Sequence, residues 1–230
     1  MEGDMSLPNL ARNNLAEEAY RVLRDSIFSQ QFACGEQLDL SSIEQQLGIS
    51  RTPIKAAVDR LAAEGLVEIM PRRGTYVTDP SLKTIDNAFR VREVLEAHAV
   101  ANSVERMTGE QLEQLAQIVS EMRRIIEAKD PATMYLKYTA ADHDFHALIV
   151  EGADNDVLSD LCRRVVTRVQ LARVRYARSG IDLEQLTEEH QNILAALQAR
   201  DAEIAEALMR EHLRKARTAM PTDPQSREHS

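Results

Sequence analysis

Four polar residues in the C-terminal half of the chain stand where helix periodicity asks for apolar ones. Asp142 and His146 are four residues apart and share one helix face with Tyr138, Phe145 and Ile149. His190 aligns with Leu186, Ile193 and Leu197; His212 aligns with Ile204, Leu208 and, at the edge of the next turn, Lys215. Burying a carboxylate and three imidazoles without partners is costly, and one divalent cation would satisfy all four. A single inward histidine is more often a satisfied core residue. Four coincident placements, one of them an Asp-x-x-x-His pair, point instead to ligation. Nitrogen-rich ligation with one carboxylate suits Zn²⁺, Ni²⁺, Mn²⁺ or iron better than Ca²⁺ or Mg²⁺, with zinc the ion expected on purification. His143 could serve as a ligand only if the helix register differed, and His98 and His229 do not fit the pattern.

Helices must position these groups. Beyond Asp79-Pro80-Ser81 the pattern predicts helices over 83–106, 109–128, 131–151, 155–178, 183–199 and 201–219, punctuated by Pro131, Gly152, Gly180 and Asp201. The composition agrees: 43% hydrophobic, 4% aromatic and no Trp, so Leu, Ile, Val and Ala do the packing. The start MEGDMSLPNL is acidic and unlike a signal peptide. No apolar run approaches the roughly 20 residues of a membrane span. Cys34 and Cys162 stand alone, without CxxC spacing, which fits a cytoplasmic protein.

The N-terminal half has a different rhythm. Leu15, Ala19, Val22, Leu23 and Ile27 predict an amphipathic helix within Leu10–Phe32. Ser41 with Glu44 suggests a capping box opening a short helix through Leu47. Gly48 suits a sharp left-handed turn, Ser50 would cap a second helix, and Pro53 fits its first turn. In that helix Ile54, Val58 and Leu61 face inward, while Thr52, Lys55 and Asp59 face outward. Gly65 closes it. Leu66–Met70 and Thr75–Val77 read as strands joined by Pro71–Gly74.

This is the layout of a winged helix-turn-helix, which places its second helix in the DNA major groove. Ser50, Arg51, Thr52 and Lys55 would meet base edges or phosphates, and Arg72, Arg73 and Gly74 would form a wing tip entering the minor groove. The charge is adverse: −9 overall, with 8 Lys+Arg against 12 Asp+Glu in residues 1–80. Distribution answers this, because Arg51, Lys55, Arg60, Arg72 and Arg73 all fall in the second helix and wing. The expected organisation is a flexible tail at 1–9, a DNA-binding domain at 10–78 and a linker at 79–82. A helical effector and dimerisation domain follows at 83–220, then a disordered tail at 221–230.

GISRTPIKAAVDRLAAEGLVEIMPRRGTYV resembles the N-terminal domain of GntR-type bacterial transcription regulators. Lys55 stands where the family usually has Arg, and Lys lacks the bidentate fork. Residues 82–219 resemble the helical effector domain called FadR C-terminal domain, or FCD, through R-x-x-L-E (Arg92 to Glu96), D-x-x-F-H (Asp142 to His146), E-H-x-x-I (Glu189 to Ile193) and His212-Leu213. The resemblance implies a mostly α fold with an N-terminal winged helix-turn-helix and an antiparallel helical bundle. It implies that Asp142, His146, His190 and His212 hold a metal ion. It also implies that Arg92 meets a carboxylate effector, with Arg168 as a second candidate. Without the family, Arg92 reads equally as an ion pair with Glu96 on a solvated face. The expected activity is a homodimeric repressor of an inverted-repeat operator, binding double-stranded DNA and a small organic acid. A metal-dependent enzyme with an accessory winged helix, or a pure metal sensor, are the alternatives.

Overall fold

A computed structural model of the chain describes residues 13–130, 133–175 and 182–220. The tails expected at 1–9 and 221–230, with His229, lie outside the described residues. So do the helix start at 10–12, Pro131, the helical extension to 178, and Gly180. The chain divides into two compact units, 1–80 and 81–230.

The first unit runs α1 (Asn13–Phe28), β1 (Gln37–Leu38), α2 (Leu40–Leu47), α3 (Arg51–Glu64), β2 (Val67–Met70) and β3 (Gly74–Val77). Ala19, Tyr20, Leu23 and Ile27 bury one face of α1 against α3, which contributes Ile54, Ala57, Val58 and Leu61. Leu15 and Val22, read from the sequence as part of that face, are 42% and 46% exposed. The buried stripe is instead completed by Tyr20. Its hydroxyl donates to Glu64 Oε2 at 2.8 Å, so the polar tip of the ring is satisfied where its body is buried.

The α2 cap also differs from expectation. Asp39, in extended backbone, accepts from the amides of Ser41 and Ser42, so the helix starts at Leu40 and Ser41 lies within it. A carboxylate two residues upstream thus satisfies the first free amides before the Ser41 hydroxyl is needed. Ser50 occupies the N-cap position of α3 with extended backbone but makes no side-chain cap hydrogen bond. Gly48 (φ 64°) and Gly65 (φ 79°) end α2 and α3 in the left-handed region.

The hairpin is part of a three-stranded sheet in the order β1-β3-β2. β2 and β3 pair antiparallel, Val67 opposite Val77 and Met70 opposite Gly74, and β1 adds Gln37 opposite Tyr76 on the other edge.

The second unit is all helical: α4 (Leu82–Arg106), α5 (Gly109–Glu127), α6 (Met134–Gly152), α7 (Asp156–Arg175), α8 (Leu183–Gln198) and α9 (Ala202–Thr218). Side-chain caps set four of the starts: Ser81 for α4, Thr108 with Gln111 in a capping box for α5, Asp182 for α8 and Asp201 for α9. The 25-residue α4 packs against α6, α7 and α9. The main core joins α5, α6, α8 and α9 to the C-terminal half of α4 through residues such as Val100, Leu115, Met122, Phe145, Ile193 and Met209. On α9 the inward face is Ala205, Met209 and His212, whereas Ile204, expected beside His212, is 53% exposed. A one-residue rotation of the stripe explains this, because Ala205 and Met209 lie seven and three residues before His212.

Candidate functional site

In the first unit the sequence-predicted contact residues form an exposed set. Ser50, Arg51, Thr52 and Lys55 are solvent-facing at the start of α3, where backbone amides and the positive end of the helix dipole also point outward. Arg51 Nη1 lies 3.7 Å from Glu44 Oε1 on α2. Arg72 and Arg73 are exposed at the hairpin tip and Gly74 is half-buried. Arg60 does not belong to this surface. Its Nη1 is 2.6 Å from Glu17 Oε2, its Nε is 3.3 Å from Glu64, and its guanidinium stacks 3.6 Å above the Tyr20 ring.

The wing tip is pinned by a residue that the sequence pattern did not single out. Gln37 Nε2 and the Tyr76 hydroxyl both donate to the Arg73 carbonyl, at 3.2 Å and 3.0 Å. Gly74 has φ 117°, and a Cβ there would fall 2.6 Å from Gln37 Nε2. Glycine is favoured by its conformation, and a Cβ would displace the Gln37 amide from the Arg73 carbonyl. A two-residue strand carries too little periodicity to be seen in sequence.

In the second unit Asp142 and His146 of α6, His190 of α8 and His212 of α9 converge. All four side chains are buried, and one ligand atom from each lies within 4.8 Å of the others. His146 Nε2 is 3.2 Å from His212 Nε2, and Asp142 Oδ1 is 3.4 Å from His190 Nε2 and 3.9 Å from His146 Nε2. The edge of a tetrahedron with ~2.1 Å metal–ligand bonds is about 3.4 Å.

The other ring nitrogens fix the tautomers. His146 Nδ1 lies 2.6 Å from Glu96 Oε2, His212 Nδ1 lies 2.9 Å from Glu189 Oε2, and His190 Nδ1 lies 2.8 Å from the Leu186 carbonyl. Acceptors at Nδ1 of His190 and His212 place the protons there. The Glu96 carboxylate beside His146 Nδ1, close but not aligned as a hydrogen bond, favours the same tautomer, which leaves three Nε2 atoms grouped together. Two acceptor nitrogens then face each other at 3.2 Å, and among the described residues His190 Nε2 is buried with no hydrogen-bond partner. A cation at that point resolves both conflicts, so the residues fit a divalent metal.

Electrostatics hold the ligands in binding form. Burial pushes His212 down to about 3, with the neighbouring His190 acting the same way. Burial also lowers His146, against the pull of Glu96. Neutral imidazole is the form a metal needs. Burial works against ionisation of Asp142, but Arg173, His190 and His146 together outweigh it and hold the carboxyl well below its usual range. Glu96 is likewise opposed by burial yet held down at about 2 by Arg92 and His146.

The supporting shell departs from expectation. Arg92 is not on a solvated face: it and Glu96 are 2% and 1% exposed, with Arg92 Nε 2.5 Å from Glu96 Oε1. Arg92 therefore reaches the cluster through Glu96 and His146. Arg168 is exposed on α7, and the arginine of that helix at the cluster is Arg173, which donates to Asp142 Oδ2. In the sequence Glu96 stands out only as a motif letter and a partner for Arg92, Glu189 only as a motif letter, and Arg173 not at all. His98 is exposed beside Asn102, and His143 is half-buried outside the cluster.

A family model described as "Bacterial regulatory proteins, gntR family" matches residues 15–77, and one described as "FCD domain" matches residues 87–215. The chain is a GntR-family transcription regulator with an FCD effector domain. It is similar to the HTH-type transcriptional repressor RspR of Escherichia coli K12, 29% identical over 199 residues, covering 86% of each chain. The HTH-type transcriptional repressor GlaR of the same strain is 27% identical over 201 residues, covering 85% of this chain and 91% of its own. The fold is that of a GntR transcriptional regulator from Rhodococcus sp. RHA1, with a TM-score of 0.76 at 23% identity, covering 89% of this chain and 96% of that one. These likenesses place the chain among regulators, not enzymes. Among the described residues no helix is long and apolar enough to cross a membrane.

Proposed function

We propose that this GntR regulator is a cytoplasmic homodimeric repressor of the FadR type, whose grip on an inverted-repeat operator is set by a small organic acid bound at a divalent metal. Asp142, His146, His190 and His212 would hold the ion. Three nitrogens and one carboxylate suit Zn²⁺ on purification, with Ni²⁺, Mn²⁺ and iron as candidates in the cell. The metal would supply open coordination positions for a carboxylate oxygen. Ser50, Arg51, Thr52 and Lys55 would read the major groove, and Arg72, Arg73 and Gly74 the minor groove.

The observation that carries this reading is the convergence of three Nε2 atoms and one carboxylate oxygen in a buried point, within a chain whose other unit is a DNA-reading fold. Repression is supported by the two relatives named as repressors. Exposed apolar residues on α4 (Val91, Val94) and α7 (Val157, Leu161) support a self-association surface in the effector domain. A ligand can act only by binding the DNA-competent and incompetent forms unequally.

The test combines elemental analysis of protein purified without chelator with gel shifts on its own promoter region. Expected are about one equivalent of transition metal per chain and an operator affinity that changes with organic acids only in the metal-loaded protein. Organic-acid responses identical in metal-free and metal-loaded protein would refute the reading.

A further inference from the structure

Among the described residues three cations surround the cluster, and they are not equivalent. Arg92 is 2% exposed and bonded to Glu96, which itself contacts His146. Lys215 is held between Glu189 and Glu211, at 3.1 Å and 2.9 Å, so a further anion there meets two carboxylates. Arg173 differs: among the described residues its hydrogen-bond partner is Asp142 Oδ2, an oxygen of a ligand whose other oxygen faces the histidines. Its side chain is 13% exposed, against 0–3% for the four cluster residues.

The buried fixed charges at the cluster pair one to one, Arg92 with Glu96 and Arg173 with Asp142, while at its edge Lys215 lies between Glu189 and the exposed Glu211. The three histidines add nothing while neutral. A divalent ion therefore arrives with two positive charges uncompensated, in a place where water can screen little. As the ion draws on Asp142, Arg173 is left with surplus charge. A guanidinium carries five N–H donors and the bond to Asp142 uses one.

We propose that Arg173 is the residue that receives the effector, and that the effector is a small dianionic acid with one carboxylate on the metal and the other on Arg173. This rests on the organic-acid reading above and goes beyond it in naming the charge class and the clamp. Arg92 is then a positioning residue that acts through Glu96 on His146. The ligand neutralises the site by supplying the two negative charges that the protein lacks.

The experiment uses full-length protein loaded with Co²⁺, whose visible d–d bands report directly on the coordination sphere, titrated with acetate and with malonate. In the wild type, malonate is expected to perturb the bands at concentrations at least about tenfold lower than acetate, the size of one charged hydrogen bond. Arg173→Gln should bind Co²⁺ more weakly, because Asp142 loses its partner, but should give the cobalt spectrum at saturating Co²⁺; there malonate should weaken about 10- to 100-fold, to the level of acetate. Arg173→Lys, which keeps the charge and loses the fork, should recover part of the difference. The persisting cobalt spectrum separates a lost clamp from a lost fold. Equal malonate responses in wild type and Arg173→Gln would overturn this proposal alone. Cobalt bands insensitive to either acid would overturn the organic-acid reading with it, and so would failure to bind cobalt at all.

Discussion

The two units place their charged residues in opposite ways. In the first, Arg51, Lys55, Arg72 and Arg73 stand in water on a surface whose core is apolar. In the second, Asp142, Glu96, Arg92 and three histidines are buried in a connected network that, among the described residues, leaves His190 Nε2 without a hydrogen-bond partner. Exposed charges are screened and act one at a time, so each can change with little effect on its neighbours. Buried ones are coupled, and removing one leaves others uncompensated. The difference predicts modular loss in the reading surface and collective loss in the cluster.

The largest expected effect is therefore His190→Ala, which should reduce metal affinity by more than about a hundredfold, beyond the usual outer-shell loss. Competition with a chromogenic chelator measures it, and the operator affinity of the metal-free protein should be unchanged. Next comes Arg51→Ala, expected to weaken operator binding by about 1–3 kcal/mol while metal content stays at wild-type level. A variant that lost both together would break the comparison. Glu96→Gln should cost about 10- to 100-fold in metal affinity although it never touches the ion, because it removes the negative charge that His146 Nδ1 faces and leaves Arg92 buried without its partner.

Acid sharpens the contrast further. His146 and His212 are lowered by burial, His212 to about 3, whereas the unfolded chain titrates near 6.5. Below that value the unfolded state takes up protons that the native metal-free effector domain cannot. Its stability should fall as pH drops, by roughly 1.4 kcal/mol at pH 5.5 from His212, with a further loss in the same direction from His146. Glu96, held at about 2, adds a loss in the same direction below its usual 4.5. Thermal melts of metal-free protein at pH 7.5 and 5.5 should show the descent, and a flat profile would contradict buried neutral histidines. The smallest effect belongs to the first unit: Asp39→Ala removes the α2 cap and should cost about 1 kcal/mol.

How much of this was legible in sequence follows from the same contrast. The turn residues Gly48 and Gly65 and the outward Arg51, Thr52 and Lys55 are local features, written within one helix or turn. The four cluster residues were legible because each breaks an apolar stripe. Their partners were not, because Glu96 and Arg173 come from helices whose order in space periodicity does not reveal. Arg92 and Glu96, four apart on α4, look like any exposed ion pair until α6 and α9 cover them. Leu15, Val22 and Ile204 misled for a simpler reason. An apolar residue near the edge of a stripe lies inside or outside according to a few tens of degrees of helix rotation.

The Tyr20–Arg60–Glu17 cluster bears on how the regulator searches a chromosome. With Arg60 neutralised by Glu17 and Glu64, the cations of α3 and the wing available to phosphate are Arg51, Lys55, Arg72 and Arg73. Each phosphate neutralised contributes about 0.9 to the salt exponent. A surface so sparsely charged holds arbitrary sequence weakly, and a genome offers roughly 10⁶–10⁹ such decoys. On the proposed function, fewer molecules would be sequestered on bystander DNA, and a larger free pool would be left to answer an effector.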